Sequence, residues 1–158
     1  MEEKDLKTTN GYDPELIAAK LRRWERYLQK YTLPTWDELP DFELYMDQVI
    51  ALLDKYLDFL PEEERVDKTV TASAINNYVR LKVMPAPNKK RYSRIHIAYL
   101  IMICTLKQTL SIAEVSRVLP VDIPEEQVRT AYDGYVQQHR KCAMQFIELS
   151  REVALPIL

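Results

Sequence analysis

Only two glycines, Gly11 and Gly134, occur among 158 residues. A loop that cradles phosphates, or the turn that binds a dinucleotide, needs several glycines at fixed spacing, so neither can be written on this chain. Nucleotide-cradling enzymes are thereby excluded. The nine prolines fall mostly between stretches of helical periodicity, where a proline stops one helix or opens the next. An all-α fold is expected.

The first helix is signalled by Asp13-Pro14, a cap residue followed by proline, after which Ile17, Leu21, Trp24, Leu28 and Tyr31 recur every three or four residues. It should run from Pro14 to about Lys30. A second helix is expected to open at Pro40-Asp41 and stop before Pro61, with Leu44, Val49, Leu52, Leu53, Tyr56 and Phe59 on one face. The charged loop Glu62 to Lys68 follows. Thr71 or Ser73 can cap a short helix reaching Lys82, with Ile75, Tyr78 and Val79 inward and Asn76, Asn77 and Arg80 on other faces. Ser93 caps a strongly apolar helix from Arg94 to about Leu110, and Ser111 with Glu114 forms a capping box for another that ends at Pro120.

The last helix starts at Asp122-Ile-Pro-Glu. Within it Val128, Tyr132, Tyr135, His139, Cys142, Phe146, Leu149 and Val153 alternate in steps of four and three, an unbroken heptad seam suited to pairing with a second copy. Val136 and Ala143 widen the stripe in a way that suits a globular core as well. The longest apolar run, Ile97 to Cys104, is far short of the ~20 residues a bilayer span needs, and the start MEEKDLKTTN has no apolar signal core. A cytoplasmic protein without membrane contact is expected. Cys104 and Cys142 lack metal-ligand spacing and read as reduced packing residues, with no metal or cofactor implied.

Charge is segregated along the chain. From Lys68 to Ala113 there is no Asp or Glu, and Lys68, Arg80, Lys82, Lys89, Lys90, Arg91, Arg94 and Lys107 give +8, whereas the rest of the chain carries −10. A basic face on an otherwise acidic protein is the footprint of a phosphate-binding surface. Half of that positive charge, Lys89, Lys90, Arg91 and Arg94, follows Pro85 and Pro87 directly. Beside it, asparagines can bond adenine in the major groove, and Thr71, Ser73 and Tyr78 offer hydroxyls to phosphates. The two histidines, His96 and His139, stand on helices without catalytic spacing and read as structural, so no enzyme is expected.

The stretch AINNYVRLKVMPAPNKKRYSRIHIAYLIMICTLKQTLSIAEVSRVL, from Ala74 on, resembles the winged helix of the MerR superfamily of transcription regulators. Ile75, Tyr78, Arg80, Val83, Met84 and Pro85 fall on the positions of that family's recognition helix and its stop. Tyr92-Ser93 and Ser111-Ile112-Ala113-Glu114-Val115 match its later landmarks. Asn76 and Asn77 stand where the family has a DNA-contacting Arg-Tyr pair, Lys82 replaces a turn glycine, and the loop before Thr71 is longer. LYMDQVI at Leu44 to Ile50 and INNYV at Ile75 to Val79 are similar, more closely still, to an uncharacterised bacterial MerR-like family of unknown function, over about Leu39 to Leu119.

The resemblance implies a winged helix-turn-helix domain at 36–119, between an N-terminal extension and helix at 1–35 and a C-terminal helix at 120–158 that pairs two copies. It implies a transcription regulator on duplex DNA, with a recognition helix at 71–82 and a basic wing at 85–94. The expected contacts are Thr71, Ser73, Asn76, Asn77, Tyr78, Arg80, Lys82, Lys89, Lys90, Arg91, Tyr92 and Arg94. The alternative is a winged-helix adaptor that holds another protein and has lost DNA binding, which Asn76 and Asn77 favour and the acid-free segment opposes.

Overall fold

Residues 13–30, 32–58 and 70–156 are described by a computed structural model. They form six α-helices: α1 (Pro14–Lys30), α2 (Met46–Tyr56), α3 (Ala72–Arg80), α4 (Arg94–Leu106), α5 (Ile112–Val118) and α6 (Glu125–Ala154), with a single 3-10 turn at Trp36–Glu38. No described helix is long and apolar enough to cross a membrane. Tyr31, Phe59, the loop Glu62 to Lys68 and the side chains of Trp24 and Leu28 lie outside the described residues.

The chain divides into two compact units: residues 33–139, and residues 1–32 together with 140–158. This division departs from one drawn at residue 119, because the first half of α6 is part of the larger unit's core. There Val128, Tyr132 and Val136 are buried beside the helices that precede them in sequence. In the smaller unit Arg151 and Glu25 form an ion pair at 3.1 Å and Ile147 is buried.

The larger unit is built around α4. Every residue from His96 to Ile103 is buried, as expected of a helix apolar on all sides and enclosed by its neighbours. α2 packs on α3 and α4, and α4 packs on α5. Local signals set most of these boundaries. The Thr71 hydroxyl accepts from the Ala74 amide at 3.1 Å. Ser111 and Glu114 cap α5 reciprocally, at 3.2 Å and 2.8 Å.

The second helix starts later than its apolar spacing suggests. Residues 41–45 are not helical: Leu44 pairs antiparallel with Tyr92 through N–H to carbonyl bonds of 2.9 and 2.8 Å. Tyr45 then precedes α2, its amide donating to Gln48 Oε1 at 2.9 Å. Leu44 thus reaches the core from an extended segment, where pairing with a distant residue outweighs the helical preference of its neighbours.

The stretch Leu33 to Leu39 is fastened mainly by α6. The Trp36 amide donates to Asp133 Oδ1 at 3.0 Å, the Tyr132 hydroxyl donates to the Pro34 carbonyl at 2.6 Å, and Arg129 pairs with Asp37 at 3.1 Å. Tyr132 meets the Trp36 ring edge-on at 6.4 Å. Burial first, then nearby negative groups, pushes the Tyr132 phenol well above its ordinary range, so it stays a neutral donor.

Candidate nucleic-acid interface

Helix α3 ends in a complete Schellman motif. Val83 N–H bonds the Tyr78 carbonyl at 3.0 Å and Lys82 N–H the Val79 carbonyl at 3.1 Å. The motif needs a left-handed residue after the cap, normally glycine. Here that residue is Lys82, at φ 58°.

Eight residues on, the chain reverses in a two-residue turn. Asn88 and Arg91 exchange amide to carbonyl bonds of 3.1 and 3.0 Å, and the two central residues, Lys89 and Lys90, have φ 51° and 64°. Positive φ at both centres is the hairpin geometry that Asn-Gly ordinarily fills. The turn leads straight into the Tyr92–Leu44 pair. In the described residues only one other non-glycine residue, Asp122, is left-handed. The three lysines are exposed, and no ion pair or hydrogen bond of their side chains is found among the described residues.

Other candidates are tied up or turned inward. Arg91 pairs with Glu43 at 3.2 Å, both half-exposed. In the ribbon, residues 45 and 91 stand opposite each other on the face away from Leu44 and Tyr92, so this pair lies on the outer side beside the exposed ring of Tyr45. Arg80 donates to Asn77 Oδ1 within α3, and Asn77 is half-buried. Thr71 uses its hydroxyl as a cap. Ser73 and Asn76 are exposed on α3.

Three expected contacts face the core instead of an open surface. Tyr78 is 4% exposed and its hydroxyl accepts from Lys107 Nζ at 2.9 Å, with the ammonium 5.3 Å from the ring centre. Tyr92 is 3% exposed, because its partner Leu44 occupies the inward face of the ribbon. Arg94 is the first residue of α4, and its guanidinium lies 5.7 Å from the centre of the Trp36 ring and donates to the Leu39 carbonyl at 2.9 Å. Its Nε is buried without a hydrogen-bond partner. A phosphate contact by Arg94 is replaced by an internal role.

The heptad seam is likewise split. Val128 and Tyr132 are buried in their own chain, so they are closed to a second copy, and the Tyr135 hydroxyl bonds Thr105 of α4. His139 is half-buried. Cys142 is exposed, as are Phe146, Leu149 and Val153, at 64%, 60% and 71%. Sequence spacing cannot separate the two halves, because both carry the same periodicity. It also gives no hint of Glu43 as the partner of Arg91, since charge sign is visible in sequence but proximity is not.

A family profile described as a domain of unknown function, DUF1836, matches residues 34–135. The chain belongs to the DUF1836 family. The matched region starts at the segment held by α6 and ends within the buried half of that helix, so it nearly coincides with the larger compact unit. Among curated proteins and among solved structures, none matches the chain.

Proposed function

We propose that this DUF1836 protein is a cytoplasmic transcription regulator of winged helix-turn-helix type, with α3 as the reading helix and the turn at 88–91 as the wing on duplex DNA. The observation that carries the reading is the placing of Lys82, Lys89 and Lys90. A left-handed conformation costs an L-residue roughly 1–2 kcal/mol that glycine avoids, set against a total stability of ~5–15 kcal/mol for a domain. Strain of that size held at three lysines argues that their charge is needed there. All three lie in the segment from Lys68 to Ala113 that has no acidic residue.

The resemblance to MerR regulators supports the same assignment of reading helix and wing. The exposed stripe of Cys142, Phe146, Leu149 and Val153 supports a homodimer. Asn76 is the best placed base reader, since Asn77 is engaged by Arg80. That engagement, with the burial of Tyr78, is also what favours the protein-binding adaptor as a second reading.

The test is a titration of labelled duplex DNA at several salt concentrations. Each phosphate contact contributes about −0.9 to the slope of log affinity against log salt. Three lysines give a slope near −3, and Arg80 and Arg91 steepen it towards −5 if they also engage. Lys89→Gln and Lys90→Gln should each reduce the slope by about 1 and weaken every sequence alike. Absence of binding by the parent even at low salt overturns the reading and leaves the adaptor.

A further inference from the structure

His96, the third residue of α4, is 8% exposed, yet each ring nitrogen is engaged. Nδ1 accepts from the Ser93 amide at 2.9 Å and lies 3.0 Å from Ser93 Oγ. A backbone amide can only donate, so Nδ1 bears no proton, and the neutral ring carries its proton on Nε2. That nitrogen donates to the carbonyl of Ala86 at 3.0 Å. Ala86 sits between Pro85 and Pro87, on the arm that leads to Lys89 and Lys90. Tyr92 meets the ring edge-on at 5.5 Å.

We propose that His96 is a positioning residue for the basic turn: its neutral imidazole ties the Ala86 arm to the start of α4, and a second proton on Nδ1 unties it. The consequence for DNA rests on the function proposed above; the tie itself does not. At this place in a capping box a Glu or Gln suffices to satisfy the Ser93 amide. The imidazole, with an acceptor and a donor on opposite edges of a rigid ring, serves the amide and the arm together.

Protonation would set Nδ1–H against the Ser93 N–H, two donors face to face, so the ring must turn towards the Ser93 hydroxyl oxygen beside it and carry Nε2–H off the Ala86 carbonyl. The charged groups about the ring are Glu43, whose field favours the cation, and Arg91, which Glu43 already pairs. Tyr92 is neutral, its phenol raised by burial. Burial of the imidazole outweighs both its bond to Ala86 and Glu43, and holds the ring below the ordinary value of 6.5. Between the folded and unfolded values the unfolded chain therefore binds more protons. The stability the tie contributes is whole above the unfolded value and declines below it, and the tie itself is lost as pH falls through the folded value.

The experiment uses the full chain, as parent and as His96→Gln, which can keep the cap but does not titrate. Nitrogen-15 NMR of the imidazole should report the Nε2–H tautomer at about pH 7.5, where the ring is neutral. Amide exchange at Asn88, Arg91 and Tyr92 should be about five-fold faster in His96→Gln, as for the loss of one net hydrogen bond. Acidification until the nitrogen-15 shifts report the imidazolium should loosen the same amides in the parent and leave the variant unchanged. Duplex affinity should follow the amides in both proteins. An Nδ1–H tautomer, or amides as slow in the variant as in the parent, overturns the proposal. If the variant fails to fold, the tautomer and the parent's own pH dependence still decide it. A parent that binds no duplex sinks the DNA reading alone, because the exchange rates still report the tie.

Discussion

Replacing Lys82 by glycine separates the two things this residue does. In the Schellman motif it holds φ 58°, and glycine relieves a strain of roughly 1–2 kcal/mol. Glycine in turn frees the unfolded chain, at a cost of about 0.4–1 kcal/mol. The difference leaves Lys82→Gly more stable by about 0.5–1 kcal/mol, a rise in Tm of ~1–4 °C for a chain of this size. Lys82→Ala keeps the left-handed strain and loses only the charge, so its Tm should stay near the parent's. Both variants lose one cation and should lower the salt slope of duplex binding by about 1. Thermal unfolding followed by circular dichroism, with salt titrations on the same three proteins, makes the comparison. If glycine lowers Tm, the strain argument fails; if both variants bind with the parent's slope, the charge is not what the strain is kept for.

Asn76→Ala should change the preferred sequence by ~1–3 kcal/mol for a lost base contact while leaving Tm unaltered, as read by selection from a random duplex pool and by thermal unfolding. Tyr132→Phe removes the donor to the buried Pro34 carbonyl, and urea unfolding should show a loss of ~1–3 kcal/mol. Phe146→Glu and Leu149→Glu alter exposed positions; stability should hold, and sedimentation should show a dimer giving way to monomer.

The elements that a sequence betrays are those whose causes are local. The Asp13-Pro14 start of α1, the Thr71 cap of α3 and the Ser111–Glu114 box of α5 each rest on bonds within three residues, and each stands where its spacing puts it. The pairing of Leu44 with Tyr92 has no such cause. Its partners are far apart in sequence, and a one-residue bridge leaves no alternating pattern to read. Arg94 belongs to the same class. Its neighbours in sequence are cations and a helix cap, but Trp36 and the Leu39 carbonyl decide its role. Lys82, Lys89 and Lys90 count as charges in the sequence, whereas their left-handed backbone emerges only from the geometry.

The bonds that fasten Leu33 to Leu39 also bear on how the chain reaches its native state. Trp36 and Asp133 are separated by 97 positions, Pro34 and Tyr132 by 98. Contacts this distant must be preceded by the closure of a long loop, which slows folding. During synthesis the segment that opens the larger unit must wait for nearly all of that unit to be made. Until α6 emerges, the Pro34 carbonyl and the Trp36 amide lack the Tyr132 hydroxyl and the Asp133 carboxylate that hold them, and a ribosome halted before Tyr132 would present an unclosed chain to chaperones and proteases.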